Sequence, residues 1–343
     1  MKPLRVAMVG VGGFGKYRRQ RMRECGLFRI VAAYDINREA LAECCREDGA
    51  QAAESFEALL DFPEVEALII STGAKYHAEQ ALAALARGWH VFVEKPLCST
   101  PDEAKALIKA QRQTGLVIGV GHCDHRHSAV SRTIKGLLDK KELGDIATFE
   151  KTTAHSGGLL IKPGDWRGDP DKNPGGMLFQ CGVHGLHELM FYFGPISEVF
   201  CSMRYDINKA TQTADIALCQ LHFASGLIGT LHAYHVTPYR HTFNIFGTRA
   251  NLYREERFFD EGTSLLIQRT RLDGAKEAKE PVPLFGEEDI CGNLRSFWRA
   301  VRHGEPCYPG LREGVQAVAA VFAAEESAKS GRFVRISQYD STI

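Results

Sequence analysis

Six residues, Gly10-Val11-Gly12-Gly13-Phe14-Gly15, lie between an apolar run from Leu4 to Val9 and a helix-like segment, and this placement restricts the fold more than any other feature. A second strand-like run, Arg29 to Tyr34, ends at an acid, Asp35, twenty residues past Gly15. Glycines in this spacing after a strand read as the turn of a dinucleotide-binding strand-helix-strand unit. Gly10 makes the tight turn, Gly12 lets the backbone approach a pyrophosphate, and Gly15 lets the following helix pack closely on the sheet. That helix then turns its free N–H groups and positive end toward the phosphates. Gly13, Phe14 and Ile36 complete the expected cofactor contacts. Asp35 is placed to accept hydrogen bonds from the ribose hydroxyls, and its charge opposes a 2′-phosphate, so NAD is expected ahead of NADP. Arg38 acts in the other direction, since a guanidinium there can hold a phosphate.

The first 120 residues alternate short aliphatic runs with helical patterns: Leu4 to Val9, Arg29 to Tyr34, Ala50 to Ala53, Ala67 to Ser71, His90 to Val93 and Leu116 to Val120. Strand and helix in alternation predict a doubly wound parallel sheet covered on both faces. Asn37 is expected to cap one helix, and Thr100-Pro101-Asp102-Glu103 joins a cap, a first-turn proline and a capping-box glutamate. After residue 121 the pattern changes to helix, strand, a Gly/Pro/Asp-rich loop from Ser156 to Gly176, and a helix from Met177 to Phe193. Alternating strands follow, with turns at Ser225-Gly226 and Asp273-Gly274, before two closing helices. A chain of 343 residues exceeds what one core usually supports. The sequence therefore predicts a Rossmann domain over 1–121 and an α+β domain over 122–343 whose largely antiparallel sheet has one open face. A homodimer or homotetramer is the expected means of covering that face.

Apolar residues at 44% and charged residues at 24% are ordinary for a globular protein. With 42 basic and 42 acidic side chains interspersed, neither nucleic acid nor an anionic membrane is an expected partner. No apolar stretch approaches the ~20 residues of a membrane span. The ten cysteines are scattered, without C-x-x-C, and no signal peptide is evident, which predicts reduced thiols and a cytoplasmic location.

Two more groups lie just past strand ends, on the edge where open parallel sheets bind ligands. Ser71-Thr72-Gly73 with His77 forms one, and Glu94-Lys95-Pro96 the other. Pro96 forces Lys95 into an extended backbone. An ammonium facing the nicotinamide is disfavoured by desolvation and by the positive ring, which suits a proton shuttle. Further on, Gly175-Gly176 leads into a helix on which Gln180, His184 and His187 share one face while Phe179, Val183, Leu186 and Met190 share another. A polar stripe beside a packed one is expected of a pocket wall.

In this order and spacing the glycine run, Asp35, Glu94-Lys95-Pro96 and the Gly-Gly to His184 segment resemble the Gfo/Idh/MocA oxidoreductases. The likeness extends to Gly119-Val120-Gly121-His122 and to Trp166-Arg167, and so covers nearly the whole chain. It implies an NAD-dependent dehydrogenase or reductase acting on CH–OH groups of a sugar, cyclitol or sugar derivative. Lys95 would handle the proton and His184 would sit near the reacting hydroxyl. Glu94, His77 and His122 would belong to the cofactor site, and Trp166, Arg167 and Gln180 to the substrate site. Many members carry aspartate at the position of Gln180; a carboxamide can orient a hydroxyl but cannot take its proton. No metal is expected, despite His122-Cys123-Asp124-His125-Arg126-His127, because no zinc signature is reproduced. Two other activities share the pattern: a glycoside hydrolase or lyase working by transient oxidation, and a non-catalytic NAD and sugar sensor.

Overall fold

A computed structural model describes residues 2–256 and 262–339. The first sheet is built from β1 (Leu4–Val9), β2 (Phe28–Tyr34), β3 (Gln51–Ala52), β4 (Ala67–Ile70), β5 (His90–Val93) and β6 (Ile118–Val120). All pair in parallel, in the order β3-β2-β1-β4-β5-β6. Every residue of β4 is fully buried, as a strand covered on both faces requires. The covering helices are α1 (Phe14–Cys25), α2 (Arg38–Asp48), the single turn α3 (Phe56–Leu59), α4 (His77–Ala86) and α5 (Pro101–Thr114). Asn37 caps α2, and Thr100 with Glu103 forms the expected capping box on α5. Strand order reverses on either side of β1, and this switch point is where such sheets bind ligands. The turn there depends on one close approach: a Cβ on Gly15 would stand 2.0 Å from the Gly10 carbonyl oxygen.

The second sheet follows α6 (Ala129–Asp139). Its strands are β7 (Ile146–Ala154), β8 (Ile196–Arg204), β9 (Ile216–Phe223), β10 (Ile228–Tyr234), β11 (Arg240–Gly247), β12 (Ala250–Glu256), β13 (Thr263–Arg269), β14 (Lys279–Pro281) and β15 (Val334–Arg335). They lie in the order β14-β13-β12-β11-β7-β10-β9-β8-β15, and only β7 with β10 runs parallel. Alternate residues such as Cys219, Leu221, Leu231, Phe243 and Ile245 are buried on one face of this sheet, where Phe243 stacks on Tyr192 of α7 (Val183–Phe193) at 5.6 Å. Phe149 stacks on Phe193 at 5.2 Å within that layer. On the opposite face Leu218 and Ile228 are 44% and 45% exposed, in keeping with an open sheet. All ten cysteines are free thiols. No helix among the described residues is long and apolar enough to cross a membrane.

The expected division at 121/122 differs from the observed one. The first compact unit runs to Asp124 and takes back residues 289–315, leaving to the second the described residues of 125–288 and 316–339. The reason is α8 (Gly292–His303), whose Leu294, Phe297 and Trp298 complete the core around Leu4, Met8 and Phe92. Phe297 meets Phe92 edge-on at 5.5 Å and stacks on Phe28 at 6.4 Å. Burying such side chains is worth ~2–3 kcal/mol each, so the parallel sheet keeps them although they follow the second unit's strands in sequence. The closing helix α9 (Leu311–Ser330) starts in the first unit and continues in the second.

Two outcomes follow. Gly15→Ala drives a methyl into backbone and should lower stability by ~2–3 kcal/mol, read from urea unfolding, with NADH binding lost in parallel. In the second unit His125 is buried with its ring 5.2 Å from that of His187. Burial lowers its pKa from 6.5 to about 3. Between those values the unfolded chain binds a proton there that the folded chain does not, so stability should rise with pH by up to about 1.4 kcal/mol per unit. His125→Asn should flatten that slope in the acid range of a urea-midpoint series.

Candidate active site

Around the glycine turn, α1 begins at Gly13 with no side-chain cap and no acidic residue in its first turn. By contrast α2 and α5 carry both a side-chain cap and first-turn acids. The first N–H groups and positive end of α1 are therefore left for an anion, and they fit a pyrophosphate. Asp35 sits at the end of β2 as expected. Its Oδ2 accepts from the N–H groups of Val11 at 2.7 Å and Gly12 at 3.0 Å, and its Oδ1 from Asn37 at 2.8 Å. The carboxylate thus braces the turn from the side on which a ribose would lie. Ile36 is 87% exposed beside it, and Arg38 is exposed at the start of α2.

At the ends of β4 and β5, Thr72 donates its hydroxyl to Gln80 at 2.7 Å. His77, expected in the cofactor site, is engaged with the backbone. The buried ring places Nδ1 2.7 Å from the Pro96 carbonyl oxygen and Nε2 3.0 Å from that of Thr72. Both partners are acceptors, so a neutral ring can donate to one and only an imidazolium to both. Burial lowers its pKa against the pull of those two carbonyls. His77 thereby ties two strand ends together on the far side of Lys95, which is half-buried and followed by a cis peptide to Pro96. Glu94 is also turned inward. Its Oε1 accepts from Arg18 Nε at 2.6 Å, and both side chains are about nine-tenths or more buried, at 5% and 4% exposure. Removing one partner of such a pair costs ~3–5 kcal/mol, since the other charge is left desolvated. His122 is fully buried, and its carbonyl accepts from Asn293 Nδ2 at 2.8 Å.

In the second unit, residues Leu178–Gly182 form a π-helical turn that runs into α7. Gln180 lies in that turn and His184 at the start of the helix, both half-buried. Of the three residues expected on one face, His187 differs from Gln180 and His184 in being buried, at 2% exposure, with its ring packed on His125. The wider π turn precedes His184, so it alters the offset of Gln180 from the residues of α7 and leaves the i, i+3 spacing of His184 and His187 regular. One turn after His184, Glu188 is buried against Lys151 and Arg254. Burial alone would raise its pKa, but Arg254 and Lys151 outweigh that and hold it well below the usual carboxylate value. This anchors α7 to the sheet.

The sequence reading missed His155 and His235, which follow the ends of the parallel pair β7 and β10. His155 accepts from the Gly157 N–H at 2.9 Å and sets Nε2 3.8 Å from Cys181 Sγ, beside Gln180. Burial lowers its pKa, and that of His235, whose ring lies 3.7 Å from Asp215. Their signal was a histidine directly after a strand, too common to single out. Trp166 and Arg167 lie on a short 3₁₀ turn. There the guanidinium stacks on the indole at 4.8 Å and pairs with Asp165 at 3.4 Å, so its charge has a local partner.

Residues 4–122 match the model of an oxidoreductase family with an NAD-binding Rossmann fold, and residues 131–253 that of the GFO/IDH/MocA C-terminal domain. The 1,5-anhydro-D-fructose reductase of Ensifer adhaerens is 26% identical over 312 residues, covering 90% of this chain and 91% of that protein. The scyllo-inositol 2-dehydrogenase (NAD(+)) of Bacillus subtilis is 25% identical over 314 residues, covering 88% and 87%. A levoglucosan dehydrogenase solved with NADH and L-sorbose superposes with a TM-score of 0.87 at 21% identity, covering 98% of this chain and 99% of that one. An uncapped helix behind a glycine turn, a lysine at a strand end and a Gly-Gly to His184 segment thus occur in a chain that belongs to the GFO/IDH/MocA oxidoreductase family.

Proposed function

We propose that the chain is an NAD-dependent dehydrogenase or reductase acting on a hydroxyl-bearing carbon of a sugar, cyclitol or sugar derivative. The observation that carries this reading is the acid-free, uncapped start of α1 on the same sheet edge as Lys95. The dinucleotide, when bound, supplies hydride acceptance at its nicotinamide ring. The amides of Gly13 and Phe14 would hold the pyrophosphate and Asp35 the adenosine ribose, whose 2′-phosphate that carboxylate would repel. NAD is accordingly favoured over NADP.

The residues of the chain govern the proton. As hydride leaves the substrate C–H, the hydroxyl on the same carbon must lose its proton, and Lys95 in its neutral form accepts it. In the reductive direction the lysine ammonium returns that proton to the carbonyl oxygen. His184 hydrogen-bonds the hydroxyl and directs it. Gln180 orients it without accepting the proton, since an amide has no basic site at neutral pH. In this reading a second copy of the chain covers the face that carries Leu218 and Ile228, giving a homodimer or homotetramer, and the enzyme works in the cytoplasm.

The test is a panel of sugars and cyclitols, including scyllo-inositol and levoglucosan, followed at the absorbance of NADH with NAD and with NADP. Net, stoichiometric NADH is expected; turnover without it would mark transient oxidation, and no turnover with tight sugar binding a sensor. Lys95→Ala should lower kcat ~100-fold or more with little change in KM. Gln180→Ala should instead act mainly on KM, by about 3- to 10-fold, the worth of one neutral hydrogen bond. Near-full turnover by the Lys95 variant would end the proposed mechanism.

A further inference from the structure

Two of the ten cysteines stand directly opposite each other in the second sheet. Cys201 on β8 pairs with Cys219 on β9 across an antiparallel ladder, and each is 2% exposed. Their sulfurs are 3.4 Å apart, with the Cys219 thiol donating to Cys201 Sγ. The Cys201 N–H turns away from β9, to the Ser327 hydroxyl at 2.9 Å. On β9 the Phe223 N–H turns to the Leu227 carbonyl at 2.9 Å, and Cys219, an even number of residues earlier, faces β10 in the same way. The cysteines are therefore a non-hydrogen-bonded pair, the kind whose Cα atoms lie about 4.5 Å apart. That separation falls inside the roughly 4.4–6.8 Å a disulfide spans, so side-chain rotation suffices to bring the sulfurs to the ~2.05 Å of a bond. The chain between them, residues 202–218, supports the turn that bears Trp166 and Arg167. Asn208 Nδ2 donates to the Gly158 carbonyl at 2.6 Å and to that of Ile161 at 3.2 Å. The Gln212 N–H reaches the Gly168 carbonyl at 2.8 Å, and the Thr213 hydroxyl the Arg167 carbonyl at 2.9 Å.

We propose that Cys201 and Cys219 are an oxidation site: hydrogen peroxide joins them as a cross-strand disulfide, which closes the 202–218 segment and fastens the Trp166–Arg167 turn resting on it. Because the Cys219 thiol donates to Cys201 Sγ, charge developing on Cys201 is stabilised, and Cys201 attacks first. Its thiolate takes one oxygen from the peroxide, whose O–O bond breaks, giving a sulfenic acid and one molecule of water. Cys219 sulfur then displaces the sulfenic oxygen as a second water, and the S–S bond forms. The two thiols together lose two protons and two electrons, and the peroxide is reduced to water. Burial slows this chemistry in the sheet interior. The pair lies one strand from the sheet end, however, since β8 is bordered there by the two-residue β15, and short terminal strands open more readily than central ones. Neither cysteine belongs to the proposed active site, so the inference stands apart from the reading of Lys95.

The test needs no known substrate. Reduced full-length protein is treated with hydrogen peroxide at neutral pH, its remaining thiols are alkylated, and the unreduced digest is mapped by mass spectrometry. A peptide pair joined through Cys201 and Cys219 is expected from protein that circular dichroism shows to be folded, and dithiothreitol should separate it again. Hydrogen exchange should then slow several-fold in residues 202–218 and 157–168 of the oxidised protein, and recover on reduction. Cys201→Ala and Cys219→Ala should each give neither the link nor the slowing under the same peroxide. Where an alanine variant fails to fold, the map and the exchange of the parent protein decide the matter. Absence of the link, a main product joining either residue to another cysteine, or sulfinic acid at Cys201 in its place would overturn the oxidation site. A link that leaves exchange in 157–168 unchanged would overturn the fastening of the turn. Two thiols that merely fill the core would give that absence of a link, since they would sit beside each other without exchanging electrons.

Discussion

The contact of Gly15 with the Gly10 carbonyl governs much of the first unit. Because no Cβ intervenes, α1 starts directly at the end of β1, and its N–H groups open onto the sheet's switch point. The same placement carries Arg18, one turn further along α1, to the end of β5, where it meets Glu94. A phosphate-binding turn and an ion pair at the residue before Lys95 are thus two consequences of one backbone approach. Displacing the helix by the width of a methyl group would disturb both.

Lys95 is held on either side by side chains that do not belong to its own strand. Arg18 fixes the residue before it, and His77 bonds the carbonyl of the residue after it. Strand ends are otherwise the mobile part of an open sheet, where loops begin and backbone groups lack ladder partners. In the second unit a comparable task falls to Lys151 and Arg254. They neutralise Glu188 on the buried face of α7 and fasten that helix, which carries His184 in its first turn and follows the turn bearing Gln180. In both units, buried ion pairs lie next to residues proposed for the site. They are weak sources of net stability, and their more evident effect is to fix geometry.

Much of the fold was legible because local signals agreed with the tertiary result. The strand positions followed from short aliphatic runs, and the helix starts at Asn37 and Thr100 followed from capping chemistry that acts within four residues. The glycine turn and Asp35 belong to the same class, since their function is set by spacing along one strand-helix-strand unit. The domain boundary was read less well. α8 follows the second unit's strands in the chain but buries Phe297 in the first unit's core. Nothing in its own periodicity tells which core receives its apolar face. Gln180 was read imperfectly for a related reason: a wheel of uniform helical pitch cannot register the π turn at 178–182, which changes its offset from His184 and His187.

From the sequence alone came a nucleotide-binding sheet, an antiparallel companion and a short set of chemically capable residues, because each depends on neighbours a few positions apart. Three-dimensional packing decided which of those side chains are engaged elsewhere. His77 went to two carbonyls, Arg167 to Asp165, and Glu94 to Arg18, a residue 76 positions away. Long-range pairs of this kind are chosen by burial and by the need to satisfy charge out of water, and those demands exist only once the chain has closed on itself.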